Sequence, residues 1–185
     1  MTDKEFLQNL LMEKDVCREV EANLDKLLEI IPEIKPSIGF DHQNPHHFAD
    51  VWGHTLYALN LSKPNLIVRT SLLLHDLGKP HVAFVGRDGY QHFKGHQQLS
   101  SQFAKNILTR INYDKSDIKK ICYIINLHDN MVTDDEIKNN VELEKLRLEV
   151  QRCDCMAHIT PVADERMKYV NERKKYIKKF LKNEL

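Results

Sequence analysis

A chain of 185 residues with 27 basic and 27 acidic side chains has no net charge to spread over nucleic acid, which excludes an extended surface built from many Lys and Arg contacts to phosphate. Six glycines, and no Pro-, Gly- or Ser-rich divider, exclude a barrel or sandwich of many short strands and point to one mostly helical domain around one core. The apolar runs are too short to span a bilayer and Met1-Thr2-Asp3-Lys4-Glu5 lacks the basic-then-apolar form of a secretory signal, so a cytoplasmic location and no membrane contact are expected.

Thr2-Asp3-Lys4-Glu5 has the form of a capping box and opens a helix with Phe6, Leu7, Leu10 and Leu11 on its apolar side. Asp15 caps a second helix, in which Val16, Val20, Leu24, Leu27, Leu28 and Ile31 repeat at helical spacing until Pro32 ends the run. Residues 32 to 47, with Pro32, Pro36, Gly39 and Pro45, read as a loop that delivers the chain to His46-His47. The next helix runs from about Asp50 to Ser62, with Val51, Thr55 and Ala58 near one side and His54 one residue from that stripe. Pro64 suits the first turn of the following helix, which is apolar almost all round through Leu66, Ile67, Val68, Leu72, Leu73 and Leu74. Such a helix belongs at the centre of a fold, so His75 and Asp76 are carried inward on its last turn before Gly78 and Pro80 stop it. A neutral imidazole beside a carboxylate is a mixed nitrogen and oxygen donor pair suited to a divalent ion.

Val82-Ala83-Phe84-Val85 and Tyr90-Gln91-His92-Phe93 flank Gly86-Arg87-Asp88-Gly89 and predict a small β-hairpin at about residues 82–93. A helix beginning near Gly95-His96 is expected to bury Leu99, Phe103, Ile107 and Leu108. Another, from around Asp114 to Ser116, carries Ile118, Ile121, Cys122 and Ile125 on one face and brings His128 to its end on that face. Thr133-Asp134-Asp135-Glu136 repeats the capping-box pattern ahead of a short helix. A longer helix follows from about Val141 to His158, and there Val150, Asp154 and Ala157 share a stripe. A carboxylate on a buried stripe is costly unless it is paired or bound to a cation. Pro161 breaks the chain, and residues 164 to 185 form a last helix with Met167, Val170, Ile177 and Leu181 as a thin apolar seam and charged, solvated faces elsewhere. Cys17, Cys122, Cys153 and Cys155 fall within helices and read as thiols of a reducing compartment.

His54, His75-Asp76, His128 and Asp154 thus lie on or beside the inward faces of different helices, and His96 starts one more. Any one of these histidines is ordinary as a hydrogen-bonded core residue. Together with two inward aspartates they burden a core heavily unless metal ions take up their lone pairs and charge, and a helical bundle can bring such side chains to one point.

The order His54, His75-Asp76, His96, His128, Asp154 resembles the HD-domain superfamily of metal-dependent phosphohydrolases. Asp50-Val51-Trp52-Gly53-His54-Thr55-Leu56 looks like that family's first-histidine helix, and His75-Asp76-Leu77-Gly78-Lys79-Pro80 looks like its name-giving motif. His92-Phe93-Lys94-Gly95-His96 with Ser100 is similar to the segment after that motif in the HD domains attached to CCA-adding tRNA nucleotidyltransferases. The resemblance covers about residues 42–158, with N-terminal helices at 3–31 and a charged helix at 164–183 completing one domain, 1–185. It implies an all-α bundle with a metal site in its core, standing alone without a nucleotidyltransferase part. Position by position it implies that His54, His75, Asp76 and Asp154 hold one divalent ion, and that Asp76 bridges to a second held by His96 and His128. His92 competes with His96 for its place. The donor set admits Mn, Fe, Co, Ni, Mg or Zn.

A phosphate ester resists hydrolysis because its oxygens repel a nucleophile and its alkoxide leaves poorly; divalent ions relieve both problems, and Asp76 would orient or deprotonate the attacking water. Lys79 is either a point charge for phosphate or a cation placed at a helix C-terminus by the macrodipole. His47, His92 and Arg87 are further substrate candidates. The expected function is a divalent-metal-dependent phosphohydrolase, a phosphatase or phosphodiesterase, acting on a nucleotide or related small phosphate ester. The alternative is a nucleotide- or RNA-end-binding module that uses the same pocket without turnover.

Overall fold

The structure, a computed structural model, describes residues 1–43 and 49–183 and is an all-α bundle carrying one two-stranded ribbon. The N-terminal capping box forms as expected. Thr2 Oγ1 accepts from the Glu5 amide and Glu5 Oε2 accepts from the Thr2 amide, starting α1 (Asp3–Met12). The second expected helix is broken in two, α2 (Val16–Ala22) and α3 (Leu24–Ile30), at Asn23. There the Asn23 amide group donates to the Glu19 carbonyl at 2.8 Å, an oxygen that also receives the Asn23 backbone N–H, and this local bond competes with helical continuation. Residues 32–37 are not the expected loop but a 3-10 helix, Pro32–Ser37, which buries Ile34.

Helix α4 (Val51–Asn60) starts at its Asp50 cap and buries Val51, Trp52, His54, Thr55, Ala58 and Leu59. Pro64 lies before, not within, the first turn of α5 (Leu66–Leu74), because the Asn65 side chain takes the capping position and accepts from the Val68 amide. Every residue of α5 from Val68 to Leu74 is buried, as an all-round apolar helix requires. His75 and Asp76 follow its last turn instead of lying in it, His75 being the C-cap, and Lys79-Pro80 then begin a further turn, α6 (Lys79–Val82). The hairpin is shorter than expected: β1 (Phe84–Val85) pairs antiparallel with β2 (Gln91–His92), Phe84 opposite His92.

Helix α7 (His96–Arg110) buries His96, Ser100, Ala104, Ile107 and Leu108, whereas Leu99 and Phe103 are only half-buried. The expected stripe is displaced by one residue for a steric reason. A Cβ on Gly78 would sit 2.5 Å from the His96 carbonyl oxygen, so the 78 turn packs directly on the start of α7 and only small side chains fit there. Helix α8 (Lys115–Asn126) buries Ile121, Ile124 and Ile125, with Ile118 and Cys122 at the margin. After α9 (Asp134–Asn139), which has the expected capping box at Thr133 and Glu136, comes α10 (Val141–Met156), burying Val150 and Asp154. The last helix, α11 (Thr160–Leu181), has Pro161 in its first turn, so that proline opens the helix; of the expected seam, Val170 and Ile177 are buried and Leu181 is half exposed. The four cysteines are free thiols, and no described helix is long and apolar enough to cross a membrane.

The main core gathers Leu11, Leu27, Ile34, Leu59, Leu72, Ile107 and Ile125 from α1 to α5, α7, α8 and their connections, with Val150 and Cys153 of α10. Helix α5 runs through it, packed against α4, α7, α8 and α10, and its C-terminal end opens onto the polar cluster described next.

Candidate metal centre

The sequence puts histidines just past the ends of α5 and α8, where each meets a carbonyl of the turn it follows, and at the start of α7, where the ring meets a carbonyl just ahead of the helix. His75 Nδ1 donates to the Leu72 carbonyl at 2.7 Å, His128 Nδ1 to that of Ile125 at 2.7 Å, and His96 Nδ1 to that of Phe93 at 2.8 Å. His54, inside α4, donates from Nδ1 to the Ala157 carbonyl at 3.2 Å. A carbonyl only accepts, so Nδ1 carries a hydrogen in all four rings and each Nε2 is turned to the centre, where it meets a carboxylate through a proton or can give its lone pair to an ion. This is the orientation in which histidines bind ions.

The Nε2 atoms surround two carboxylates. His54 Nε2 lies 2.8 Å from Asp154 Oδ1, and His75 Nε2 lies 3.5 Å from the same oxygen and 3.2 Å from Asp76 Oδ2. Asp76 Oδ1 faces the other way, 3.4 Å from His96 Nε2 and 3.8 Å from His128 Nε2. His96 and His128 approach each other at 3.4 Å between their Nε2 atoms. His75 Nε2 and both Asp76 oxygens are buried without a hydrogen bond of good geometry, an arrangement costly for polar atoms and natural for ligand atoms. Among the described residues, three groups have a ligand atom from each member within 4.8 Å of the others: His54, His75 and Asp154; His75, Asp76 and His128; and His96, His128 and Asp129. The buried histidines and aspartates present therefore form a donor set that could hold a metal ion.

Electrostatics agree with the geometry. Burial alone would raise the Asp76 carboxyl, but His75 and Lys79 hold it well below the usual carboxylate range. Asp154 is likewise held down against burial by His54 and His75. His75, despite complete burial, is pushed up to about 10 by Asp76 and Asp154, so in this arrangement a proton takes the place between them that a cation would fill. His128 is lowered by burial and stays neutral.

The other expected site residues divide sharply. Lys79 is buried, with Nζ 2.7 Å from Asp76 Oδ2 and 3.4 Å from His42 Nε2, at the start of α6 and not at a helix C-terminus as one reading had it. His92 lies on the exposed hairpin, its Nε2 2.9 Å from Asp88 Oδ2, so it is His96 that joins the buried group. Arg87 is exposed in the hairpin turn. His47 lies outside the described residues.

Three residues were missed. Asp129 has Oδ2 at 3.5 Å from His96 Nε2 and 3.6 Å from His128 Nε2, and the repeated dipeptide His128-Asp129 after His75-Asp76 was its signal. His42, fully buried, donates from Nδ1 to the Ala49 carbonyl at 3.0 Å and is lowered to about 4 by burial and then by the Lys79 charge. Arg166 of α11 reaches Asp154 Oδ2 at 3.6 Å and Asp129 Oδ1 at 3.8 Å; it lies one helical turn before the buried Val170, a register that places it on the packed face. Beside it a cleft of about 350 Å³ is lined by His128, Asp129, Gln151, Asp154, Arg166 and Tyr169, among others.

No family model matches the sequence. Across 134 aligned residues the chain is 31% identical to the A-adding tRNA nucleotidyltransferase of Deinococcus radiodurans, a match that takes in 68% of this chain. The chain spans 30% of that protein's length. This identity relates the two proteins over the shared segment.

Proposed function

We propose that the protein is a divalent-metal-dependent phosphohydrolase of the HD type, acting on a nucleotide or related small phosphate ester. The observation that carries this reading is the convergence of four Nδ1-anchored histidines on the buried Asp76 carboxylate. Likeness to an enzyme named for adding a nucleotide to tRNA supports a phosphate-ester or nucleotide substrate.

In this proposal His54, His75, Asp76 and Asp154 would hold one ion, and His96, His128 and Asp129, with Asp76, would hold a second. Such ions, when bound, neutralise phosphoryl oxygens and bring the pKa of water toward neutrality. Asp76, held ionised, would orient the attacking water; as the water oxygen bonds to phosphorus the ester oxygen leaves with the bonding pair and picks up the proton that the water gives up. Lys79, 2.7 Å from Asp76 Oδ2, fixes that carboxylate and keeps it ionised. Residues 1–185 act as one domain, with the helices outside 42–158 supporting the site.

A metal-by-substrate screen tests the reading. Nucleoside monophosphates, 2′,3′- and 3′,5′-cyclic nucleotides, pyrophosphate-containing nucleotides and an aryl phosphate would each be offered with Mn, Fe, Co, Ni, Mg and Zn. Turnover with at least one pair, lost in Asp76→Ala and reduced less in His96→Ala or His128→Ala, is expected. Metal uptake without turnover, accompanied by strongly salt-dependent RNA binding, would replace the enzyme with a binding module.

A further inference from the structure

Among the described residues, the expected anion-binding side chains do not offer a free cation to the centre. Lys79 is committed to Asp76, and Arg87 and His92 lie out on the hairpin. Arg166 is different. Its guanidinium faces Asp154 Oδ2 and Asp129 Oδ1, the outer oxygens of carboxylates whose inner oxygens, Asp154 Oδ1 and Asp129 Oδ2, meet the histidines. It therefore stands over both halves of the cluster, on the side that opens to the cleft.

A guanidinium has five N–H donors. The buried or half-buried arginines elsewhere use theirs: Arg69 donates to the Leu11, Glu13 and Ser62 carbonyls, Arg147 to those of Leu127, Asn130 and Met131, and Arg152 to the Glu149 carboxylate and the Leu61 carbonyl. Arg166 makes no hydrogen bond to any described residue; its two carboxylate approaches, 3.6 and 3.8 Å, exceed hydrogen-bond length, and its side chain is 44% exposed. The wall that carries it is nonetheless fixed. Tyr169, one turn further along α11, receives the Val132 amide on its hydroxyl, and Arg173 pairs with Asp134. The same cleft holds a second uncommitted group, the Gln151 side-chain oxygen, buried and without a hydrogen-bond partner while its nitrogen donates to the Asn130 carbonyl.

We propose that Arg166 is the phosphate-gripping residue of this cleft and that it selects a terminal phosphate, a phosphate monoester, over a diester. The inference rests on the phosphohydrolase reading. Two ions shared through Asp76 would engage two phosphoryl oxygens, and the guanidinium, spanning Asp129 and Asp154, meets a third from the open side. A monoester dianion has that third non-bridging oxygen and a diester does not. Arginine is the side chain suited to such a contact, since its planar fork pairs with phosphate oxygens and remains charged. Gln151 then offers an acceptor to a hydroxyl or N–H of the organic group lying along the cleft.

The test is calorimetric and needs no turnover. The manganese-loaded full chain would be titrated with inorganic phosphate and, separately, with dimethyl phosphate, in wild type, Arg166→Gln and Arg166→Lys. Arg166→Gln is expected to weaken inorganic phosphate by about 10- to 100-fold and dimethyl phosphate by less than about threefold, with Arg166→Lys in between. Manganese affinity should stay within about threefold in both variants, since the contacts to Asp129 and Asp154 are long and partly exposed. Unchanged phosphate affinity, or equal losses for both anions, overturns the proposal while leaving the metal reading intact. A large loss of manganese affinity overturns it too, because Arg166 would then serve the carboxylates. Failure of the wild type to take up manganese or any other divalent ion removes the phosphohydrolase reading and this inference with it.

Discussion

Each histidine of the cluster uses one ring nitrogen on a backbone carbonyl and turns the other inward, so orientation is settled by the end of a helix before any ligand is considered. The residue that sets the distance between two of them is a glycine. Gly78 follows His75-Asp76, has an ordinary φ of −75°, and is required by contact, its missing Cβ leaving room for the His96 carbonyl and Ser100. Ser100 Oγ accepts the Gly78 N–H at 2.9 Å, joining the Asp76 turn to the helix that starts at His96. Gly78→Ala should cost about 1–3 kcal/mol, because the added methyl meets backbone that cannot rotate away. Urea denaturation measures this, and a loss below about 0.5 kcal/mol would mean that α7 slides freely at that contact.

At the scale of elements, what could be read in the sequence was the face each helix buries when its apolar residues are large and periodic: α4, α5 and α10 carry His54, His75 and Asp154 inward as the pattern predicts. The pattern misleads where a close approach selects small residues. Ser100 and Ala104 line the buried side of α7 while Leu99 and Phe103 sit at its margin, because size at that face is limited by the 78 turn. Arg166 was hidden for a related reason: a charged helix reads as solvated from its composition, and only its register against Val170 separates an inward arginine from the outward ones.

Arg69 is a stronger case, a charged residue inside the most apolar helix. It is 2% exposed and donates to the carbonyls of Leu11, Glu13 and Ser62, satisfying the end of α1 and tying α1 to α5. Arg69→Met keeps the apolar stem and strands those oxygens, and should destabilise the fold by about 2–4 kcal/mol. A chemical-denaturation midpoint matching the wild type's would show that water or a shifted α1 takes the arginine's place.

For the molecule as a whole, the polar cluster is a structural burden in the core that an ion would turn into a cross-link. His54 comes from α4, His75 and Asp76 from the end of α5, His96 from α7, His128 and Asp129 from the end of α8, and Asp154 from α10, so a bound ion joins most of the helices that form the main core. The sequence turns these residues inward on separate helices but does not show how closely they meet, since the outermost of them, His54 and Asp154, stand 100 positions apart. A ligand that binds only the folded chain stabilises it by about 2.7 kcal/mol at a hundredfold excess over its Kd. In a chain of this length each kcal/mol moves Tm by about 2–4 °C, so saturation with a tightly bound divalent ion should raise Tm by about 5–11 °C, and a chelator should reverse the shift. Asp154→Ala, which removes an oxygen ligand facing both His54 and His75, should lose most of that rise, whereas adventitious ions at surface carboxylates would leave it in place. Thermal melts of the metal-stripped protein with Mn, Fe, Co, Ni, Mg and Zn in turn decide the matter. If none of them moves Tm, the convergent histidines and aspartates do not form a metal centre, and the buried Asp76 carboxylate is compensated by Lys79 and a protonated His75 alone.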